Sequence, residues 1–114
     1  MNLGGDAVVT LKNIQDARKA IAPFIQCTPQ VQSQFLTTFC GCPLFLKLEN
    51  LQITSSFKPR GVFNKLLHLS GEEKNKGIIT ASASNHGPAV AFAAQKLGYY
   101  ARVVVSQNHA ESQD

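Results

Sequence analysis

Gly77-Ile78-Ile79-Thr80-Ala81 is followed by Ser82-Ala83-Ser84-Asn85, then by His86-Gly87-Pro88-Ala89-Val90-Ala91-Phe92-Ala93-Ala94-Gln95-Lys96-Leu97-Gly98. After two tyrosines comes Ala101-Arg102-Val103-Val104-Val105. The first and last runs are short, apolar and rich in β-branched residues, which predicts two strands. The alanine-rich run between them predicts a helix over His86–Leu97, closed by Gly98. A strand, a helix and a strand in so short a span form a βαβ crossover, and such a crossover makes its two strands parallel. Parallel sheets take helices on both faces and more strands than this stretch supplies. The predicted fold class is therefore α/β, a partial parallel sheet built on one βαβ unit and an incomplete portion of a larger domain.

Upstream, Ser70-Gly71-Glu72-Glu73 has capping-box spacing and opens a short helical turn. Before it, Ser55 or Ser56 is placed to cap a helix with Val62, Phe63, Leu66 and Leu67 on its apolar side. Pro59 sits in its first turn, where a missing N–H does little harm. Leu44 to Glu49 reads as a strand and Val31 to Thr38 as a short helix. Gln26 to Gln34 is polar and contains Thr28-Pro29. Thr10 is a plausible N-cap for a helix with Leu11, Ile14, Ala17 and Ile21 on one face, ending near Pro23. The chain divides into a leading helical segment, 1–42, a small α/β portion, 43–106, and a polar tail, 107–114.

At 114 residues the chain is one domain at most, and 44% hydrophobic against 16% charged residues indicates a globular protein. The formal charge is +4, but the eleven lysines and arginines are scattered and not interleaved with aromatics, which argues against a nucleic-acid partner. No apolar run approaches a membrane span, so a soluble, cytoplasmic protein without membrane partners is expected. Three cysteines, Cys27, Cys40 and Cys42, suit a reducing compartment. Cys40-Gly41-Cys42 is C-x-C rather than C-x-x-C, and His68, His86 and His109 lack ligand spacing, so no metal is expected.

Two segments carry candidate chemistry. Ser55-Ser56-Phe57-Lys58-Pro59-Arg60-Gly61 sets a lysine in the first turn of a helix, directly after a serine-rich loop. The positive end of a helix disfavours a charged amine, burial disfavours it further, and a neutral amine is what Schiff-base chemistry requires. The competing reading is a solvated helix lysine. In Ala81-Ser82-Ala83-Ser84-Asn85-His86-Gly87, small polar residues end a strand and open a helix, presenting N–H groups and hydroxyls to an anion. Its competing reading is ordinary helix capping by Ser84 or Asn85.

Together these segments resemble the pyridoxal-phosphate (PLP) enzymes of the serine/threonine dehydratase and serine racemase family. Lys47 to Gly61 looks like that family's lysine motif, and Ser82-Ala83-Ser84-Asn85-His86-Gly87 like its S-x-G-N-H-G loop, with Thr28-Pro29 also in place. The resemblance runs over roughly residues 20 to 106, about the amino-terminal third of a family enzyme. It implies fold type II, the tryptophan-synthase β-like fold. It implies PLP as cofactor, bound to Lys58 through a Schiff base, with Lys58 later shuttling the Cα proton. Phe57 is implied beside the pyridine ring, and Asn85 on the cofactor's phenolic oxygen. Ser82 and the N–H groups of Ser84, Asn85 and His86 are implied to hold the substrate carboxylate.

The implied reaction is β-elimination from L-serine or L-threonine, a small amino-acid substrate, giving a 2-oxo acid and ammonia. A homo-oligomer of the full-length form is compatible with it. One position departs from the pattern, and two bear on the branch and point to the dehydratases. Ser84 stands where the family usually has glycine. Ala83 stands where racemases carry a second acid/base serine, and His86 where cysteine synthases have threonine. The family's glycine-rich phosphate loop and the residue facing the pyridine nitrogen have no counterpart in these 114 residues. Two alternatives stay open: a catalytically incompetent fragment or binding module, and another type-II enzyme such as a racemase or β-replacement enzyme.

Overall fold

The computed structural model describes residues 8–106. The expected tail 107–114, with His109, lies outside the described residues.

Helix α1, Leu11–Ile21, opens on the expected cap. Thr10 Oγ1 accepts from Asn13 N at 3.2 Å, and Asn13 Oδ1 accepts from Thr10 N at 2.9 Å. Only its carboxyl end packs inward. Ile21 is buried and Ala17 half-buried, while Leu11 and Ile14 stay exposed, so the predicted apolar face is covered over its last turns alone.

The predicted helix over Val31–Thr38 is corrected. Val31 lies in a strand, β1 (Gln30–Gln32), and helix α2 runs later, over Gln34–Cys40. Ser33 is its cap, accepting from Leu36 N at 3.3 Å. β1 pairs antiparallel with β2 (Phe45–Lys47), with Val31 opposite Leu46. That pairing comes from residues well along the chain, so nothing local to Gln30–Gln32 announces it.

Helix α3, Lys58–Leu67, buries Pro59, Val62, Phe63 and Leu66. Its N-cap is Phe57, without a side-chain cap, rather than either expected serine. Helix α4, Gly71–Lys76, has the expected capping box between Ser70 and Glu73. The βαβ unit is as predicted: β3 (Ile78–Ala81), α5 (His86–Leu97, closed by Gly98) and β4 (Ala101–Val104), with β3 and β4 parallel and Ile78 opposite Ala101.

The core lies between α3 and α5. Phe63, Ala89 and Ala93 are fully buried, joined by Val62, Leu66, Val90 and Ile21. Phe63 stacks on Phe24 with ring centroids 4.9 Å apart and meets Phe92 edge-on at 6.1 Å. Ala89 and Ala93 are small enough to let α5 approach the helix beside it. Exposure alternates along β3 and β4, and Ile79 and Val104 stand exposed on the outer face. One face of this parallel sheet is therefore covered and the other is not, as the α/β fold class with an incomplete sheet requires.

Candidate active site

Lys58 is the first residue of α3 and is half-buried. The turn before it is tightly specified. Ser55 takes φ +53°, the one positive φ outside glycine among the described residues, and its N–H donates to Gln52 O at 2.7 Å. Ser56 is buried, and its Oγ accepts from Lys58 N at 3.4 Å. Phe57 is exposed, and the Lys58 ammonium lies 5.1 Å from its ring centroid. The amine and an accessible aromatic face thus stand side by side.

Behind this turn is a polar frame. Arg60 grips Glu49 with two bonds, Nε to Oε2 at 2.7 Å and Nη2 to Oε1 at 2.8 Å. Thr28 Oγ1 donates to Glu49 Oε1, and Lys47 Nζ donates to Thr28 O. The hydrogen bonds from Arg60 outweigh burial and, with Thr28, hold the Glu49 carboxyl down at about 2; the same pairing raises the Arg60 guanidinium. Gln52 clips the backbone of residue 26 in both directions. Its Oε1 accepts from Gln26 N at 2.8 Å, and its Nε2 donates to Gln26 O at 2.9 Å. Sequence reasoning sets Thr28, Glu49, Gln52 and Arg60 inside motifs but gives them no work. The contacts span 11 to 26 residues, beyond any local spacing rule.

The second segment joins β3 to α5 at the carboxyl edge of the parallel pair. Capping by Ser84 or Asn85 side chains does not occur; Asn85 is the N-cap without a side-chain bond. The Ser82 hydroxyl does that work, accepting from Gly87 N at 2.9 Å and Ser84 N at 3.3 Å while donating to Ser84 O at 3.0 Å. The N–H groups of Asn85 and His86 are the ones a helix start leaves without an internal acceptor. A Cβ on Gly87 would lie 3.1 Å from Val103 Cγ1, so glycine gives this close approach without displacing that side chain. Ser84 has no positive φ, so the backbone at this position does not call for glycine.

Ser82, Ser84 and Asn85 line one open cleft of about 490 Å³ with Gly87, Pro88 and Val103. His86 lines a neighbouring cavity of about 450 Å³ with Gly61, Val62 and Lys65, one turn on from Lys58. The structure therefore gathers the three serine-loop residues, and sets His86 on a cavity shared with the middle of α3. Lys58 and Phe57 do not line the serine-loop cleft. The residues fit a PLP-like group at two points: a half-buried amine beside an exposed ring, and helix-terminal N–H donors opening on a cleft.

Comparison with known proteins agrees with that chemistry. A family model described as pyridoxal-phosphate dependent enzyme matches residues 21–113. The catabolic L-threonine dehydratase TdcB of Staphylococcus aureus (strain USA300) is 46% identical over 101 residues, covering 88% of this chain and 29% of its own length. The serine racemase of Dictyostelium discoideum superposes with a TM-score of 0.80 at 40% identity, over 88% of this chain and 33% of that one. The serine racemase of maize gives a TM-score of 0.78 at 36% identity, over 85% and 30%. A threonine deaminase from T.th. gives a TM-score of 0.73 at 41% identity, over 90% and 35%. The chain thus spans 29% of the curated relative's length. With its parallel strands, the helix between them and both candidate loops inside the matched region, the chain belongs to the pyridoxal-phosphate-dependent enzymes, of the type-II fold and with PLP as cofactor.

Proposed function

We propose that this chain is the lysine-bearing, amino-terminal portion of an enzyme that eliminates water from L-threonine or L-serine and releases a 2-oxo acid and ammonia. The observation that carries the reading is the 46% identity to an L-threonine dehydratase over 101 residues, a span that holds both loops. Bound PLP supplies an electron sink for the carbanion at Cα.

The chain's own residues do the rest. Lys58 would hold the cofactor through its Nζ, and the same nitrogen, when free, would take the Cα proton. The β-hydroxyl leaves with a proton as water. The released enamine tautomerises and takes up water, so that the net products are a 2-oxo acid and ammonia. Phe57 would pack beside the pyridine ring, and Asn85 would donate to the ring's phenolic oxygen. The substrate carboxylate sits at the start of α5, held by the N–H groups of Asn85 and His86. The Ser82 hydroxyl and Ser84 N–H join them once the Ser82 hydroxyl turns away from the backbone groups it now holds.

Ala83 offers no side chain that can carry a proton, which favours elimination over racemization. A second reading, a non-catalytic product of these residues alone, is favoured by the exposed apolar face at Ile79 and Val104. Turnover of L-threonine by the full-length enzyme, measured as 2-oxo acid formed, tests the first reading, and the same assay on the 114-residue chain tests the second. Loss of that turnover in Lys58→Ala supports the proposal, and normal turnover in Lys58→Ala refutes it.

A further inference from the structure

We infer that Arg60 and Gln52 are positioning residues that aim Lys58, acting through the polar frame of Thr28, Glu49 and Gln26 behind it. The inference rests on the reading of Lys58 as the cofactor's lysine, and goes beyond it by naming what sets that lysine's direction.

Three observations converge. Among the described residues the buried polar side chains are Thr28, Gln52 and Ser56, and every one of them belongs to this frame or to the turn it holds. Burying polar groups is unfavourable unless each is paired, and apolar packing would hold a helix start without them. What hydrogen bonds add is direction. Second, Arg60 lies two residues beyond Lys58 on α3, about 200° around the helix at 3.6 residues per turn. Fixing Arg60 on Glu49 by a two-bond fork therefore fixes the rotation of α3 about its axis and turns Lys58 to the opposite side. Third, Gln52 holds the turn from the other end. Its side chain grips both backbone groups of Gln26, and its carbonyl accepts from Ser55, whose positive φ persists only where the surroundings hold it.

Lysine would replace the planar fork of Arg60 by a point charge, keeping attraction to Glu49 but losing the angular constraint. Leucine at 52 would keep the volume of glutamine but free the turn.

The test is made on the full-length enzyme that carries this chain. Its cofactor-free form is incubated with PLP and reduced with borohydride, and the ratio of modification at Lys58 to the mean of the other lysines is read by peptide mass. Arg60→Lys and Gln52→Leu are compared with the parent and with Phe92→Leu, which loosens the core on α5, away from the frame. We expect the ratio to fall roughly tenfold in both frame variants, since small misplacements of a reacting group have effects of this order or larger. It stays near the parent value in Phe92→Leu. The frame variants break different hydrogen bonds, so if one unfolds the other decides. Equal ratios in all four proteins overturn the positioning role and leave Lys58 as the reactive lysine. Ratios that fall in step with melting temperature, Phe92→Leu included, overturn it in favour of general stability. A parent without preference for Lys58 overturns the cofactor reading, and this inference with it.

Discussion

Replacing Glu49 by glutamine tests the electrostatics of the frame, because the structure fixes both the size of the effect and the pH at which it vanishes. In the native pair both carboxylate oxygens accept from Arg60. An amide has one acceptor oxygen, so in Glu49→Gln one of those bonds becomes a donor facing a donor. The Glu49 carboxyl is held at about 2 against an ordinary 4.5. At ~1.4 kcal/mol per pH unit that gap corresponds to about 3 kcal/mol. The Arg60 side chain is 33% exposed and Glu49 16%, so water screens part of the attraction. Discounting for this leaves about 1.5–2 kcal/mol.

The sign follows from the direction of the shift. A carboxyl depressed in the folded state contributes its full stability above its unfolded value, and the contribution fades as pH falls from about 4.5 through about 2. The Glu73 carboxyl is also lowered, by its bond from the Ser70 backbone, but it is common to both proteins and cancels in their difference. Thermal melts followed by circular dichroism at about pH 7 should place Glu49→Gln roughly 6–12 °C below the parent. At about pH 2.5 most of the gap should have closed. A difference that stays constant between those two pH values, or no difference at neutral pH, would refute the assignment of Glu49 as a charged partner of Arg60.

Phe63→Ala removes the fully buried ring between Phe24 and Phe92 and should cost about 3–5 kcal/mol, read as a fall in the urea midpoint. Gly77→Ala should cost about 2–3 kcal/mol, because φ is +78° and the new Cβ would lie 3.1 Å from the Tyr100 carbonyl oxygen. A Gly77→Ala protein as stable as its parent would show that β3 enters the sheet differently. Ser82→Ala deprives Gly87 N and Ser84 N of their shared acceptor and should cost about 1 kcal/mol, with faster amide exchange at Gly87.

Much of this is legible in the sequence where one local rule suffices. The βαβ unit announces itself through β-branched runs on either side of an alanine-rich helix. The Ser70–Glu73 box and the Gly98 stop are likewise written into consecutive residues. Val31 escapes such a rule because its partner Leu46 is supplied by another strand, and one apolar residue between two glutamines has no period of its own. The cap on α5 escapes for a related reason. Ser84 and Asn85 are the nearer candidates, but the chain bends so that Ser82 reaches Gly87 five residues on. Lys58 and Asn85 are proposed as site residues through motif resemblance, whereas the frame behind Lys58 becomes visible only once residues 26, 28, 49, 52 and 60 are brought together.

The two halves of the candidate site are therefore held by different physics. The turn before Lys58 depends on directional bonds, several of them charge-assisted, and those are sensitive to pH and to the geometry of single side chains. The loop before α5 depends on close packing, with Gly87 against Val103, and on one neutral hydroxyl. Loss of the Glu49 charge in acid should act on the lysine side of the site, since its partners Arg60 and Thr28 both belong to that side. That asymmetry suits a reaction in which one partner is a fixed covalent anchor and the other must release and rebind a carboxylate at every turnover. The anchor gains from rigid, oriented bonds, while a hydroxyl that can rotate between backbone and ligand suits the exchanging side.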